Sequence, residues 1–481
     1  MPYPKVAAVA ALGLVATCGT LTLGTAAASA QTAAAIAVTS GTGQSTLADQ
    51  PFADPLTVTV TDDESPPQPV AGAVVTFRVT SGAASFSGGT ARAMVDTDSS
   101  GEATSPALDG GAVAGPVTVA ATTPGVSSPA TFGETVTTAI YQAGNNISTS
   151  PIPIGSGQNV SYIDEENQWG MAIVAGGVEA WGDNQSGQLG DGTTTPSPTT
   201  PVNVTGLSDV VQVDGGNDFA LAVLSNHSVD AWGSNAEGDL GNGRSSQYAT
   251  VPQPIPDLSQ VVQVSSGNNH SLALLSNGQV MTWGDNLDGD LGTGSSTPQY
   301  YPVLIPSLHN VVAVSAGCDW SLALMSNGAV MAWGLNSEGE LGDGTTTNRS
   351  VPVKVKHLPA VTQISAGGNF PSNGHALALG AKGEVWAWGD NAEGQLGVPS
   401  AGALSATPVR VVGLHNIAAV SAGGSHSLAR NTAGDMWVWG SQADGQLGTG
   451  GTANVTTPLL SSLTDVQLDW AGALGSIFLV G

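Results

Sequence analysis

Apolar residues fall at every second position in "PLTVTVTD" at 55–62, "AVVTFRVTS" at 73–81 and "GPVTVAATT" at 115–123. Gly, Pro, Asp or Ser bounds each run. A period of two is that of a half-buried strand, and short strands in series over about 100 residues predict a β-sandwich. Further on the pattern changes to short runs in groups of four. One group reads "PVNV" at 201–204, "VVQV" at 210–213, "FALAVL" at 219–224 and "SVDAWG" at 228–233.

That group recurs. "WGDNQSGQLG" begins at 181, and its copies begin at 232, 283, 333, 388 and 439. The intervals are 51, 51, 50, 55 and 51 residues, the long one containing the insertion "NFPSNG" at 369–374. Four strands per ~50 residues, repeated, predict the blades of a β-propeller. The Trp of each copy offers a large ring for the space between blades. The Asn-x-x-Gly turn offers a side chain that caps its own backbone and a residue free to take positive φ. At the ends, 137–154 reads as the last strand of a blade and 465–481 as inner strands without an outer partner. Joined, they make a seventh blade and remove two open sheet edges.

Composition narrows the partners. Asp and Glu number 37 against 10 Lys and Arg, for a net charge of −27, and no basic run occurs. Nucleic acid and anionic lipid surfaces are therefore excluded as expected partners. Residues 1–30 read as a secretory signal: Lys5, the apolar run "VAAVAALGLVA", then "ASA" before a cut near Ala30. No second apolar run of membrane length follows. Cys18 lies in that leader, so Cys318 alone remains and no internal disulfide is expected.

One column carries the candidate chemistry. At the start of the same strand stand Trp169, Phe219, His270, Trp320, His375 and His426, with Phe370 in the insertion. Burial and hydrogen bonding within the blades is the leading reading of this column; a candidate partner face around the central opening is the second, and a His-lined metal site the last. The neighbours Asn217, Asp218, Asn268, Asn269, Asp319, Asn369 and Ser425 differ between copies and are candidates for specificity. Asp62, Asp63 and Glu64 read as a solvated turn, and "DNLDGD" at 285–290 departs from calcium-loop spacing. Glu165 and Glu166 point to opposite faces of a strand and make a poor acid–base pair. No metal, cofactor or catalytic site is expected, and the chain is read as a non-enzyme.

The strings "VTSGTGQS", "PVAGAVVTFRVTSGAASFSGG", "TDSSGEATSPAL" and "AGPVTVAATTPGVSSPATF" resemble the bacterial Ig-like domain of invasin/intimin-type adhesins. That resemblance implies a rigid spacer over 31–137. "GNNHSLAL" followed by "WGDNLDGDLG" resembles the regulator of chromosome condensation repeat family, over 138–481. It implies a seven-bladed β-propeller closed by N- and C-terminal strands. Members include a nuclear exchange factor for a Ran-type GTPase, ubiquitin-ligase scaffolds and an exported bacterial propeller that inhibits β-lactamases. In that last group the same turn region carries aromatic contacts to the partner. The expectation is an all-β, monomeric, secreted or cell-surface protein whose propeller recognises a protein or glycan. Inhibition of an enzyme such as a β-lactamase is the first alternative. Nucleotide exchange is the second, disfavoured by the export signal and the acidic charge.

Overall fold

The structure, a computed structural model, describes residues 32–48, 50–111, 114–144, 148–156, 160–166, 168–245, 247–368, 374–463 and 466–480. The leader with Cys18 and Ala30, and the insertion residues 369–373 with Phe370, lie outside them. The described residues are all-β apart from one 3₁₀ turn at Pro399–Ala401.

The alternating runs near the N-terminus form two packed sheets. One orders Ala35–Ser40, Thr57–Thr61 and Glu102–Thr104. The other orders Ser45–Leu47, Ala130–Thr137, Gly115–Thr122, Val74–Ser81 and Arg92–Asp96. Val58 and Val60 of the first meet Phe77, Val119 and Phe132 of the second in a core of their own. Phe77 contacts Phe132 at 6.2 Å between ring centroids and Phe86 at 6.4 Å.

Seven four-stranded antiparallel sheets follow. Sheets I to VI span 160–203, 210–254, 261–304, 311–354, 361–411 and 417–460. Sheet VII draws Val466–Ala471 and Gly475–Val480 from the C-terminal end, and Ala139–Gly144 and Ser148–Ser156 from the N-terminal end. Ala139–Gly144 pairs antiparallel with Gly475–Val480, Ala139 opposite Val480.

Strand grouping differs from the sequence reading in phase. "PVNV" was expected to open the second unit. Its Val202 and Asn203 instead pair with Ala180 and Glu179, so the segment is the outer strand of sheet I. The turn after the Trp strand brings the chain back along that strand before it crosses to the next sheet.

Buried apolar clusters fill the space between each sheet and the next. Between I and II, Trp169, Ile173 and Leu189 pack on Val213, Ala222 and Trp232. Between VII and I, Ile140, Ile477 and Leu479 pack on Ile163 and Trp181. Clusters at every junction make the contacts cyclic. Trp181, Trp232, Trp283, Trp333, Trp388 and Trp439 are all fully buried here. Each such ring removes about 150–250 Å² from water, worth roughly 4–6 kcal/mol before ordering costs.

Hydrogen bonds follow the same cycle. The Nε1–H of Trp232 donates to the Gln188 carbonyl of the preceding sheet at 2.8 Å. Trp283, Trp333, Trp388 and Trp439 repeat this to Asp239, Asp290, Glu340 and Gln395. Near the axis, Asp164 accepts from the backbone N–H of Gly215, and Asp214 from that of Ser266. Ser265, Ser315, Ser365 and Ser421 continue to Ala316, Ala366, Ala422 and Ala471. Gln212, Gln263 and Gln363 each clamp one residue of the next inner strand, accepting its N–H and donating to its C=O.

The Trp-Gly glycines are required by geometry. Gly233 has φ +94°, and a Cβ there would sit 2.4 Å from the Asp218 carbonyl oxygen. The Asn of the turn caps as expected: Asn184 Oδ1 accepts from Leu189 N–H at 3.0 Å, and Gln442 replaces Asn in sheet VI with the same bond to Leu447.

Trp232→Phe keeps most of the apolar bulk but strands the Gln188 carbonyl. It is expected to cost about 1–3 kcal/mol, and Trp232→Ala about 3–5 kcal/mol, read from urea unfolding midpoints.

Candidate functional site

In each of sheets II to VI the first strand ends in a Gly-containing turn, and the second strand begins with the column residue. At the same end lies the long loop that follows the Trp strand. The two loops are tied: Ser234 N–H donates to the Asp218 carbonyl, Asp285 N–H to Asn269 and Leu335 N–H to Asp319. One end of the ring is therefore a circle of paired loops on a framework that holds their backbones alike.

The column itself turns inward. Trp169, Phe219, His270, Trp320, His375 and His426 are all buried to within 1% exposure. This is the leading of the readings above, burial within the blades; the alternative, a face made by these side chains, is not what the six residues form. Their polar atoms serve the neighbouring sheet: Trp169 donates to the Asn217 carbonyl and Trp320 to Gly367. His270 Nε2 meets Ser321 Oγ at 2.9 Å, His375 meets Ser427 at 2.7 Å and His426 meets Ser476 at 2.8 Å. Each serine hydroxyl donates onward to a loop carbonyl, at Asp290, Gln395 and Gln446. The serine oxygen must then accept, which assigns the Nε2–H tautomer to each histidine. Burial pushes His270 down to about 4, and His375 and His426 to about 3. Uncharged at neutral pH, they are glue between sheets.

The neighbours of the column remain accessible. Asn217, Asp218, Asn268, Asn269, Asp319 and Ser425 are half-buried at the rim. Cys318 is buried there, taking a 2.7 Å contact from Asn268 Nδ2 and lying 3.4 Å from Asp319. Burial pushes its thiol well above the ordinary range, so it is a small buried group with no thiolate character.

The axis is polar and largely committed. A chamber of about 270 Å³ is lined by Gln212, Gln263, Gln363 and the Arg430–Asp469 ion pair. The three glutamine amides are used in the clamps described above. Asp164 accepts from Gly215 N–H, and Glu165 accepts from Gln142 Nε2 at 3.0 Å. Burial pushes Asp164 up to about 7 and raises Glu165. In the sandwich, Asp62 accepts from the Glu64 and Gln68 backbones, a turn role. Among the described residues, no three His, Cys, Asp or Glu side chains converge as metal ligands.

Sequence reasoning passed over one position. It is the residue before Leu in each long loop, Gln188, Asp239, Asp290, Glu340, Gln395 and Gln446, and all six are buried. Only its alternation between amide and acid was visible in the sequence.

The histidines predict a pH effect of definite sign. Their folded pKa values lie below the ordinary value near 6.5. The stability they support is present above about 6.5 and is lost as pH falls toward 4 and 3. The variant H270F/H375F/H426F uses the residue that sheet II carries at Phe219. The wild type should lose a few kcal/mol more than this variant between pH 7 and pH 4.5 in urea melts. Equal losses in both would show that the histidines do not titrate on unfolding.

Comparisons with known proteins agree on the fold. The family model described as RCC1-like domain matches residues 145–478. The probable E3 ubiquitin-protein ligase HERC6 of Homo sapiens is 33% identical over 253 residues, 51% of this chain and 19% of that protein. The ultraviolet-B receptor UVR8 of Arabidopsis thaliana is 34% identical over 138 residues, 27% of this chain and 31% of the receptor. The chain thus spans a third or less of these relatives. Yeast RCC1 (Prp20), solved bound to Kap60, superposes with TM-score 0.64 at 20% identity, covering 72% of this chain and 89% of that one. Human WBSCR16 superposes with TM-score 0.64 at 22% identity, covering 71% and 98%. At such identities the likeness speaks for the fold alone. The repeated Trp-Gly loops, the cyclic sheets and the family match together place the chain in the RCC1-like domain family.

Proposed function

We propose that this is an exported, non-enzymatic binding protein. A signal peptide over 1–30 directs secretion or display, and a bacterial Ig-like sandwich over 31–137 acts as a spacer. The rest, 138–481, is a seven-bladed propeller closed by strands from both ends. It works as a monomer and recognises a protein partner through the paired-loop end of the ring.

One observation carries this reading. Around that end the loop backbones repeat while the accessible side chains change: Asn217 and Asp218, Asn268 and Asn269, Asp319, Ser425. A rigid frame with interchangeable tips is how scaffolds present recognition loops. The family supports a protein partner. Yeast Prp20 was solved with Kap60 and was studied for its binding to Gsp1p and histones. Glycan recognition by the same loops is the variant of this reading that the same experiment separates.

The test is affinity capture from the secreted and cell-wall fractions of the native host, with residues 31–481 as bait. The variant N268A/N269A/D319A is expected to weaken capture at least tenfold, about 1.4 kcal/mol, with its unfolding midpoint nearly unchanged. A variant at the opposite end, V211S/V262S/V312S, alters exposed residues and is expected to capture as the wild type does. Loss in the second variant alone would move the binding surface to the other end. Digestion of the captured partner by protease or by glycosidase identifies its class.

A further inference from the structure

Between residues 31 and 137 the chain carries ten Asp and Glu but only two cations, Arg78 and Arg92. The fold places those two directly opposite each other, across the ladder between Val74–Ser81 and Arg92–Asp96. Like charges in such a pair repel and weaken a sheet. Neither arginine is matched by an acid. The ion pairs among the described residues are Arg349–Asp343 and Arg430–Asp469, both in the propeller. Asp96 shares the face of Arg92 but stands four residues along the strand, about 13 Å away, opposite Val74. A chain with 37 acids and 10 cations thus leaves two of its cations together and unpaired.

Both arginines are exposed, and the side chains around them form an open groove. Val75 and Phe77 turn into the sandwich core, so Thr76, Arg78 and Thr80 face outward. With Arg92 of the edge strand and Ala120 and Thr122 of Gly115–Thr122, they line about 590 Å³ across three strands. Arg92 Nη2 donates to Thr76 Oγ1 at 3.3 Å, which lays its guanidinium over the sheet. Thr80 Oγ1 donates to the Thr118 carbonyl at 3.1 Å, and Thr122 Oγ1 to the Thr76 carbonyl at 3.5 Å. With their protons turned into the sheet, those two hydroxyl oxygens are left to accept. The groove therefore offers two cationic forks beside two outward acceptors.

We propose that this groove is a binding site for an acidic sugar unit of a glycan. The two guanidiniums clamp its carboxylate or its sulfate or phosphate ester, each through paired N–H donors. Its hydroxyl groups donate to the Thr80 and Thr122 oxygens. The threonines favour a sugar over the side chains of an acidic peptide. Ionised Asp and Glu only accept, so they would use the arginines and leave the threonine oxygens unmatched. An acidic sugar carries the anion and the hydroxyl donors on one ring. Charge limits the ligand: two cations suit one or two anionic groups, and the net charge of −27 repels a densely charged polyanion. The site gives the spacer a contact of its own, and it does not depend on the paired-loop reading of the propeller.

The test measures fluorescence anisotropy of labelled trigalacturonate and of a singly sulfated maltotriose on the mature chain, residues 31–481. Plain maltotriose and a triglutamate peptide are the controls. Binding of either acidic sugar above both controls supports the site, and the tighter of the two names its anionic group. R78Q/R92Q is expected to weaken that binding at least tenfold, while its unfolding midpoint holds or rises because two opposed charges are gone. K354Q/K356Q removes two exposed cations from the propeller and is expected to change binding less than twofold. Equal weakening by both variants would reduce the effect to net charge and overturn the site. So would equal binding of maltotriose, a preference for triglutamate, or no binding of either acidic sugar. The loop variant N268A/N269A/D319A is expected to bind the sugar as the wild type does. If it alone loses the sugar, the glycan belongs to the propeller and the groove is wrong, while the loop reading stands. If R78Q/R92Q alone loses the sugar, the groove stands whether or not the loops capture a partner.

Discussion

The five junctions from sheet I to sheet VI are held by side chains that complete a neighbour's backbone. A tryptophan N–H closes a loop carbonyl of the sheet before it, and an inner Asp or Ser oxygen takes an N–H of the sheet after it. No sheet of this design satisfies its own polar groups alone. Seven sheets in cyclic contact give every sheet two partners, which an open row would deny to the first and last. Packing, hydrogen bonding and closure are therefore one requirement. It also explains why the repeat tolerates so little change at Trp, Gly and Asn.

That requirement consumes most of the chemistry. Three histidines, two further tryptophans of the column and three glutamine amides look available in the sequence, yet all are spent between sheets. What the junctions leave unused includes the loop tips beside the column, where Asn217, Asp218, Asn268, Asn269, Asp319 and Ser425 are half-buried. The acids before Leu in sheets II to IV, Asp239, Asp290 and Glu340, are the exception within the frame. Each keeps one buried oxygen without a hydrogen-bond partner, so the frame is weaker there than its own repeat allows.

Much of this was legible in the residues. The Trp-Gly loops, the capping Asn and the alternating strands 55–62, 73–81 and 115–123 read correctly because each follows from local geometry. The phase of the strands did not. "PVNV" is adjacent in sequence to the next unit but hydrogen-bonds back to Ala180, and no periodicity distinguishes the two. The direction of the column residues was read as inward first, with an outward face left open beside it. An aromatic or histidine at a strand start serves a surface or a junction equally well until the neighbouring serine and carbonyl are in place. The acids before Leu passed as turn residues because their burial depends on the next sheet, some 40 residues away along the chain.

The closing sheet has a consequence for mechanical load. Thr138 alone separates the last sandwich strand, Ala130–Thr137, from Ala139–Gly144. The Tyr141 hydroxyl also donates to the Ala48 carbonyl within the sandwich. Tension on the sandwich thus enters the ring directly at Ala139, which lies opposite Val480. If the other end of the load is at Val480, the two strands are pulled from the same end. They then separate rung by rung, as a zipper does, and the ring opens at low force. If the ring is instead gripped at the loops of sheets II to IV, the load spreads through several tryptophan junctions at once. The same molecule would then resist tension applied at those loops and yield readily at its seam.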